Sequence, residues 1–257
     1  MKKNPKIIVG NWKMNPQTLD EAKRIARGVK KTAEEVKKVI TIMCPPTVFT
    51  SAVASLSNNR YLYTGVQNIF TETHGAYTGE ISADMARNAG ARFVIVGHSE
   101  RRRMGETDAV VNKKILLALT SGLNPIICIG EENHDRDGHY LSVIKEQVHA
   151  ALQNVALVDI PRIVIAYEPI WAVGADKAMN AHDVHVMTIL IRKTIIDLYK
   201  LRKQPKQIHI PVLYGGSVDP TNTAGILTEG SADGLLVGRQ SLDPKAFSDI
   251  LRIANAA

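Results

Sequence analysis

The stretch IVIAYEPIWAVG, Ile163 to Gly174, decides how the rest of the chain is read. Ile163, Val164, Ile165 and Ala166 are apolar and mostly β-branched, the pattern of a short strand buried on both faces. Tyr167 and Glu168 follow, and then Pro169, which cannot extend a ladder. A single carboxylate therefore stands where a buried strand ends. The loop beyond it, up to a helix start at Asn180, carries Trp171 as an aromatic anchor, Gly174, and small residues at Ala172, Ala175 and Ala178. That composition suits a segment moving as a unit on two hinges. Glu168 is then either a catalytic base beneath a lid or a solvated loop acid, and one carboxylate does not separate the two.

The same unit of strand, loop and helix recurs outward from this stretch. Lys6 to Val9 is a first apolar run, followed by Thr18 and Glu21 as a capping box and by Ala22, Ile25 and Val29 at helical spacing. Val39 to Met43 leads to a helix after Pro46, Leu62 to Val66 through a long loop to a helix over Ser82 to Ala89, and Phe93 to Val96 to a helix over Asp108 to Ser121 that stops at Gly122. Asn124 to Cys128 precedes a helix with Leu141, Ile144, Val148 and Leu152 on one face. Ile163 to Ala166 precedes a helix over Asn180 to Lys203 with Val184, Met187, Ile191, Ile195 and Leu198 as its stripe. Pro211 to Tyr214 and Gly234 to Val237 complete the strands, and Asp243 with Pro244 opens a last helix bearing Phe247, Ile250 and Leu251.

Eight short apolar strands alternating with helices, unbroken by any linker, predict an α/β fold: a closed, eight-stranded parallel (β/α)8 barrel forming a single domain over residues 1–257. No GxGxxG follows the first strand, which argues against an open dinucleotide-binding sheet. Aromatics are few and aliphatics many, as layers of Val, Ile and Leu between helices require.

Composition excludes several function classes. The chain carries 32 Lys and Arg against 25 Asp and Glu, a net +7, but the basic residues are scattered along helix surfaces (Lys23, Arg24, Lys30, Lys31, Lys37, Lys38) without interleaved aromatics. This predicts a modest field for small anions and no nucleic-acid partner. Cys44 and Cys128 lie far apart, giving neither a redox pair nor a zinc pattern, and read as reduced core thiols. The charged start, Met1 to Pro5, has no apolar stretch behind it, and no apolar run approaches a membrane span. A soluble, cytoplasmic protein without membrane contact is expected.

In a parallel barrel the loops after the strands share one face, and sites form there. After the first strand comes GNWKMN, offering the Asn11 amide and the Lys13 cation, side by side if the backbone stays extended. After the fourth comes GHSERR, with His98 at the strand end beside a helical turn; taken alone, a satisfied core histidine is the simpler reading. After the sixth comes Glu168. After the seventh and eighth come YGGSV and LVGRQS, whose glycines let backbone N–H groups approach an anion where barrels commonly bind phosphate.

Together the motifs GNWKMN, GAYTGE (Gly75 to Glu80), GHSERR, CIGE (Cys128 to Glu131), AYEPIWAVG, YGGSV and DGLLVG (Asp233 to Gly238) resemble the triosephosphate isomerase family, in its order and over essentially the full length. The resemblance implies a TIM barrel and an isomerase of glycolysis and gluconeogenesis that interconverts two triose phosphates. It implies that Glu168 is the base, His98 the electrophile and proton shuttle, Lys13 the cation for phosphate and enediolate, and Asn11 a further donor. The phosphate would be held by backbone amides of Gly174, Ser217, Gly238 and Arg239, with Glu100, Tyr214 and Thr78 in support. No metal or organic cofactor is implied.

The chemistry explains the residue types. Moving a proton between C1 and C2 of a three-carbon hydroxy-carbonyl needs a base for a weakly acidic C–H and donors for the oxyanion that develops beside it. A neutral imidazole at a helix N-terminus, able to donate to one oxygen and pass protons between two, is the family's own arrangement. A lid keeps out water while the phosphate-eliminating enediolate exists.

The resemblance also implies a homodimer, with the long loop Gln67 to Glu80 placing Thr78 beside the partner's Lys13 and Asn11, and Glu80 reaching the partner's Arg101. The chain departs from the family's pattern at Asp176 in the lid and Arg239 in the eighth loop, where family members usually have glycine, and Arg101 to Glu106 is one residue shorter than usual. If position 239 requires φ > 0, Arg239 is strained by about 1 kcal/mol or more. Asp176 and Arg239 are read as either a compensating pair or two independently solvated charges. An isomerase of another phosphorylated sugar, or a paralogue kept as a scaffold, is disfavoured because Asn11, Lys13, His98 and Glu168 are all present.

Overall fold

The computed structural model describes residues 4–135, 137–174, 178–201 and 209–257. The apolar runs form strands β1 (Lys6–Asn11), β2 (Val39–Cys44), β3 (Leu62–Val66), β4 (Phe93–Val96), β5 (Asn124–Ile129), β6 (Val164–Tyr167), β7 (Val212–Tyr214) and β8 (Gly234–Val237). Each pairs in parallel with its neighbours in sequence, and β8 pairs with β1, so the sheet closes. This is the expected barrel.

Helices α1 (Leu19–Glu35), α2 (Thr50–Ala54), α3 (Ala83–Asn88), α4 (Ser99–Arg103), α5 (Asp108–Thr120), α6 (His139–Ala151), α7 (Ala181–Leu198), α8 (Pro220–Thr228) and α9 (Pro244–Ala256) run between and after the strands. Thr18 caps α1 by accepting from the Glu21 N–H, Thr107 caps α5, Asn180 caps α7 and Asp243 caps α9, each filling a donor that the first turn leaves open. The expectations omit α8, although it opens on the same signal as α9. Asp219 accepts from the N–H groups of Thr221 and Asn222, and Pro220 occupies the first turn. Its Thr-rich sequence, PTNTAGILT, hides the helix from a reading based on apolar periodicity. The helix expected over Asn180 to Lys203 ends at Leu198 with Tyr199 as its cap; Lys203, like the start of the chain at Met1, lies outside the described residues.

Two cores follow from the pleat. Ile7, Val9, Ile42, Cys44, Ile95, Ile126, Cys128, Val164, Ala166, Leu213 and Leu236 fill the barrel interior, while Ile8, Met43, Val94, Val96, Ile127, Ile165, Tyr167, Leu235 and Val237 face the helices. Because side chains alternate along a strand, the inward parity of Val9, Ala166, Leu213 and Leu236 carries on to Asn11, Glu168, Gly215 and Gly238 at the barrel mouth. Cys44 and Cys128 are free, buried thiols, and burial pushes both upward in pKa, Cys128 further still because of the Glu168 charge.

Candidate active site

A cavity of about 460 Å³ opens at the C-terminal end of the barrel, lined among others by Asn11, Lys13, His98, Glu168, Ser217 and Arg239. His98 reaches it against strand parity. Inward parity in β4 passes from Ile95 to Gly97, and Gly97, at φ +74°, turns the chain so that the next side chain enters the mouth. His98 then caps α4, its Nδ1 accepting the Glu100 N–H at 3.1 Å. In a neutral ring this places the hydrogen on Nε2, which faces Glu168 Oε1 at 3.3 Å. Glu168 Oε2 lies 3.5 Å from the Ser99 N–H, so the carboxylate rests at the positive end of α4. Both side chains are almost wholly buried.

Lys13 completes this corner through a 2.7 Å bond to Glu100 Oε1. Burial works to raise the Glu100 pKa, but the hydrogen bond and charge of Lys13, with the charge of Arg103, bring it below the ordinary value. The extended backbone considered for Asn11 and Lys13 is not found. The strand ends at Asn11 and Lys13 adopts φ +54°, a conformation costing on the order of 1 kcal/mol or more for a residue with a side chain. It is held by the Asn11 Oδ1, which accepts the Lys13 N–H at 3.1 Å, and by Gln67, whose amide donates to the carbonyls of Lys13 and Cys44 at 2.8 and 2.9 Å. The strain considered for Arg239 is also absent. Arg239 opens a 3-10 turn, Arg239–Leu242, and is not among the residues with positive φ.

The opposite wall is backbone. Gly215 passes so close to Glu168 that a Cβ there would lie 2.7 Å from Glu168 Cγ. Gly174, Gly216, Ser217, Gly238 and Arg239 line the same side. Tyr214, buried beneath it, accepts the Met179 N–H at 3.0 Å and so ties the end of the loop after β6 to β7; burial pushes its hydroxyl up to about 12. Thr78 does not reach the cavity within the chain, lying instead in the exposed run 73–80. Ala175 and Asp176, and with them the proposed pairing of Asp176 with Arg239, lie outside the described residues.

The model of the Triosephosphate isomerase family matches residues 6–254. The chain belongs to the triosephosphate isomerase family. It is 39% identical over 247 residues to the triosephosphate isomerase of Moorella thermoacetica, covering 95% of this chain and 97% of that one. It is 40% identical over 250 residues to that of Natranaerobius thermophilus (96% and 95%) and 40% identical over 247 residues to that of Chloroflexus aurantiacus (95% and 97%).

Residues that the sequence left without a role brace the candidate site from below. Glu131, named only within CIGE, is buried, and its Oε1 receives the Tyr167 hydroxyl and the Trp171 Nε1–H, both at 2.9 Å. Trp171 is thus an anchor, as its type suggested. Glu106 is buried beside Lys114 at 2.6 Å and accepts the Gly97 N–H at 3.2 Å, bracing the turn that delivers His98. An acid within an otherwise polar loop sequence gives no sign of burial, so neither stood out.

Proposed function

We propose that the chain interconverts dihydroxyacetone phosphate and D-glyceraldehyde 3-phosphate. The observation that carries this reading is the contact between His98 Nε2 and Glu168 Oε1 within a cavity whose other wall is glycine-rich backbone. A base and a fixed donor stand side by side, next to a surface suited to phosphate. Glu168 takes a proton from C1 of the ketose, and the electron pair forms the C1–C2 double bond as the C2 oxygen gains charge. His98 donates its Nε2 proton to that oxygen and recovers one from the O1 hydroxyl, and protonated Glu168 returns its proton to C2. Lys13 and the Asn11 amide supply positive charge and a donor to the oxyanion. To reach a substrate carbon, the carboxylate leaves the Ser99 N–H by side-chain rotation. Backbone amides of Gly174, Gly238 and Arg239 hold the phosphate, together with that of Ser217 once it releases the Ala172 carbonyl to which it donates at 3.1 Å, and the Arg239 side chain, exposed on the rim, adds charge.

The same reading makes the protein a homodimer acting in the cytoplasm. Met14 and Met104 are 84% and 76% exposed, Met85 and Tyr77 are also exposed, and all follow β1, β3 and β4. The run 73–80 projects from the barrel, with Phe70 and Tyr77 packed on each other at 4.7 Å. Exposed apolar side chains in the segments after these three strands favour a second copy as their cover. An enzyme-coupled assay with each triose phosphate in turn tests the activity; turnover in both directions is expected, and failure with both overturns the assignment. Light scattering at micromolar concentration should give a two-chain mass, and a fully active single chain overturns the dimer.

A further inference from the structure

Beside Glu131, the loop after β5 carries an arrangement that the proposed chemistry does not use. His134 lies between two aromatic rings. It stacks on Tyr140 of α6 at 3.8 Å and 30°, and meets Trp171 edge-on at 5.7 Å and 69°. Its Nδ1 lies 3.3 Å from Glu131 Oε1, the oxygen that already receives Tyr167 and Trp171. A carboxylate oxygen only accepts, so His134 Nδ1 carries the hydrogen and three donors converge on one atom. The loop itself is pinned to α6, because Asp135 accepts the N–H groups of His139 and Tyr140 at 2.9 and 3.2 Å. The first turn of α6, His134 and Trp171 therefore form a continuous packed line.

Trp171 sits in the 3-10 turn Ile170–Ala172, directly before Val173 and Gly174, which line the cavity. Trp171 is 41% exposed, and while backbone bonds hold the turn, Ile170 N–H to the Glu131 carbonyl at 2.9 Å and Ser217 N–H to the Ala172 carbonyl at 3.1 Å, the indole itself is met by Glu131 and His134. Glu168 is fixed separately, by its N–H to the Ile129 carbonyl at 2.8 Å and by the Ser99 and His98 contacts.

We propose that His134 is a positioning residue, which holds Trp171 against Glu131 and through it sets the Val173 and Gly174 wall of the substrate cavity. The proposal rests on the reading of that cavity as the triose phosphate site. Loss of the wedge makes binding pay for ordering the wall, while the proton-moving groups stay in place. The effect falls on KM and spares kcat.

The test is 19F NMR of protein labelled with 5-fluorotryptophan, which has two resonances, from Trp12 and Trp171, assigned by Trp171→Phe. In His134→Ala the Trp171 line shifts or broadens while the line of buried Trp12 stays, KM for dihydroxyacetone phosphate rises three- to ten-fold, and kcat stays within twofold. His134→Phe keeps the ring contacts without the Nδ1 donor and recovers at least half of the KM change, which a general loss of folding would not allow. An unmoved Trp171 line, an unchanged KM, or a kcat that falls as far as KM rises overturns the proposal. Because the NMR comparison needs no substrate, it decides the wedge even if the wild type fails to turn over triose phosphates.

Discussion

The two walls of the cavity are built on opposite principles. On the side of β1, β4 and β6, side chains hold one another: Lys13 on Glu100, His98 on the Glu100 N–H, and Glu168 between His98 and the Ser99 N–H. On the side of β7 and β8 the surface is backbone, made approachable by Gly215, Gly216 and Gly238. On the proposed reading, the first wall fixes reactive atoms relative to one another, whereas the second presents donors to a group that does not react. A change in the first wall should therefore reach the turnover step, and one in the second should reach binding.

The largest expected effect lies beneath the first wall. Glu106→Ala strands the Lys114 charge in a site where both side chains are 3% exposed and frees the Gly97 turn that carries His98. Stability falls by about 3–5 kcal/mol, read by urea unfolding. Next, Glu168→Asp withdraws the carboxylate by about a bond length, and kcat falls about 100-fold with KM changed less than about threefold. A matching rise in KM would mean that the two walls are not separable.

Gly215→Ala probes the point where they touch. Its methyl group would lie 2.7 Å from Glu168 Cγ, so a change in the backbone wall should act like a change in the base: kcat drops about 10-fold, with little change in KM. The smallest effect belongs to Tyr214→Phe. It leaves the Met179 N–H without its acceptor, costing about 1 kcal/mol, and raises KM about threefold in steady-state assays with kcat nearly unchanged.

The first wall was more legible than the second because it is made of residue types that carry chemistry. Glu168, His98, Lys13 and Asn11 each follow an apolar run, and strand parity alone brings Asn11 and Glu168 inward. His98 needed the Gly97 turn, and Lys13 a left-handed backbone, and neither follows from local pattern. The barrel was legible for the same reason, since apolar runs alternating with helical stripes admit few closures. What stayed hidden depends on contacts far apart in sequence: Gln67 bonding to Lys13 across 54 positions, Glu131 receiving Trp171 across 40, and Gly215 shaped by Glu168. The helix α8 escaped because its cap, Asp219, is stronger evidence than its stripe.

The division between a wall that moves the proton and a wall that holds the phosphate is tested most directly by Glu168→Gln in deuterium oxide. Dihydroxyacetone phosphate is incubated with wild type and variant, and deuterium entering its C1 position is followed by NMR while inorganic phosphate is titrated as a competitive inhibitor of residual turnover. Loss of the base should slow exchange by about 100-fold or more, with the inhibition constant of phosphate within about twofold of wild type. Exchange at the wild-type rate in Glu168→Gln would contradict the assignment of the base and, with it, the account of the site.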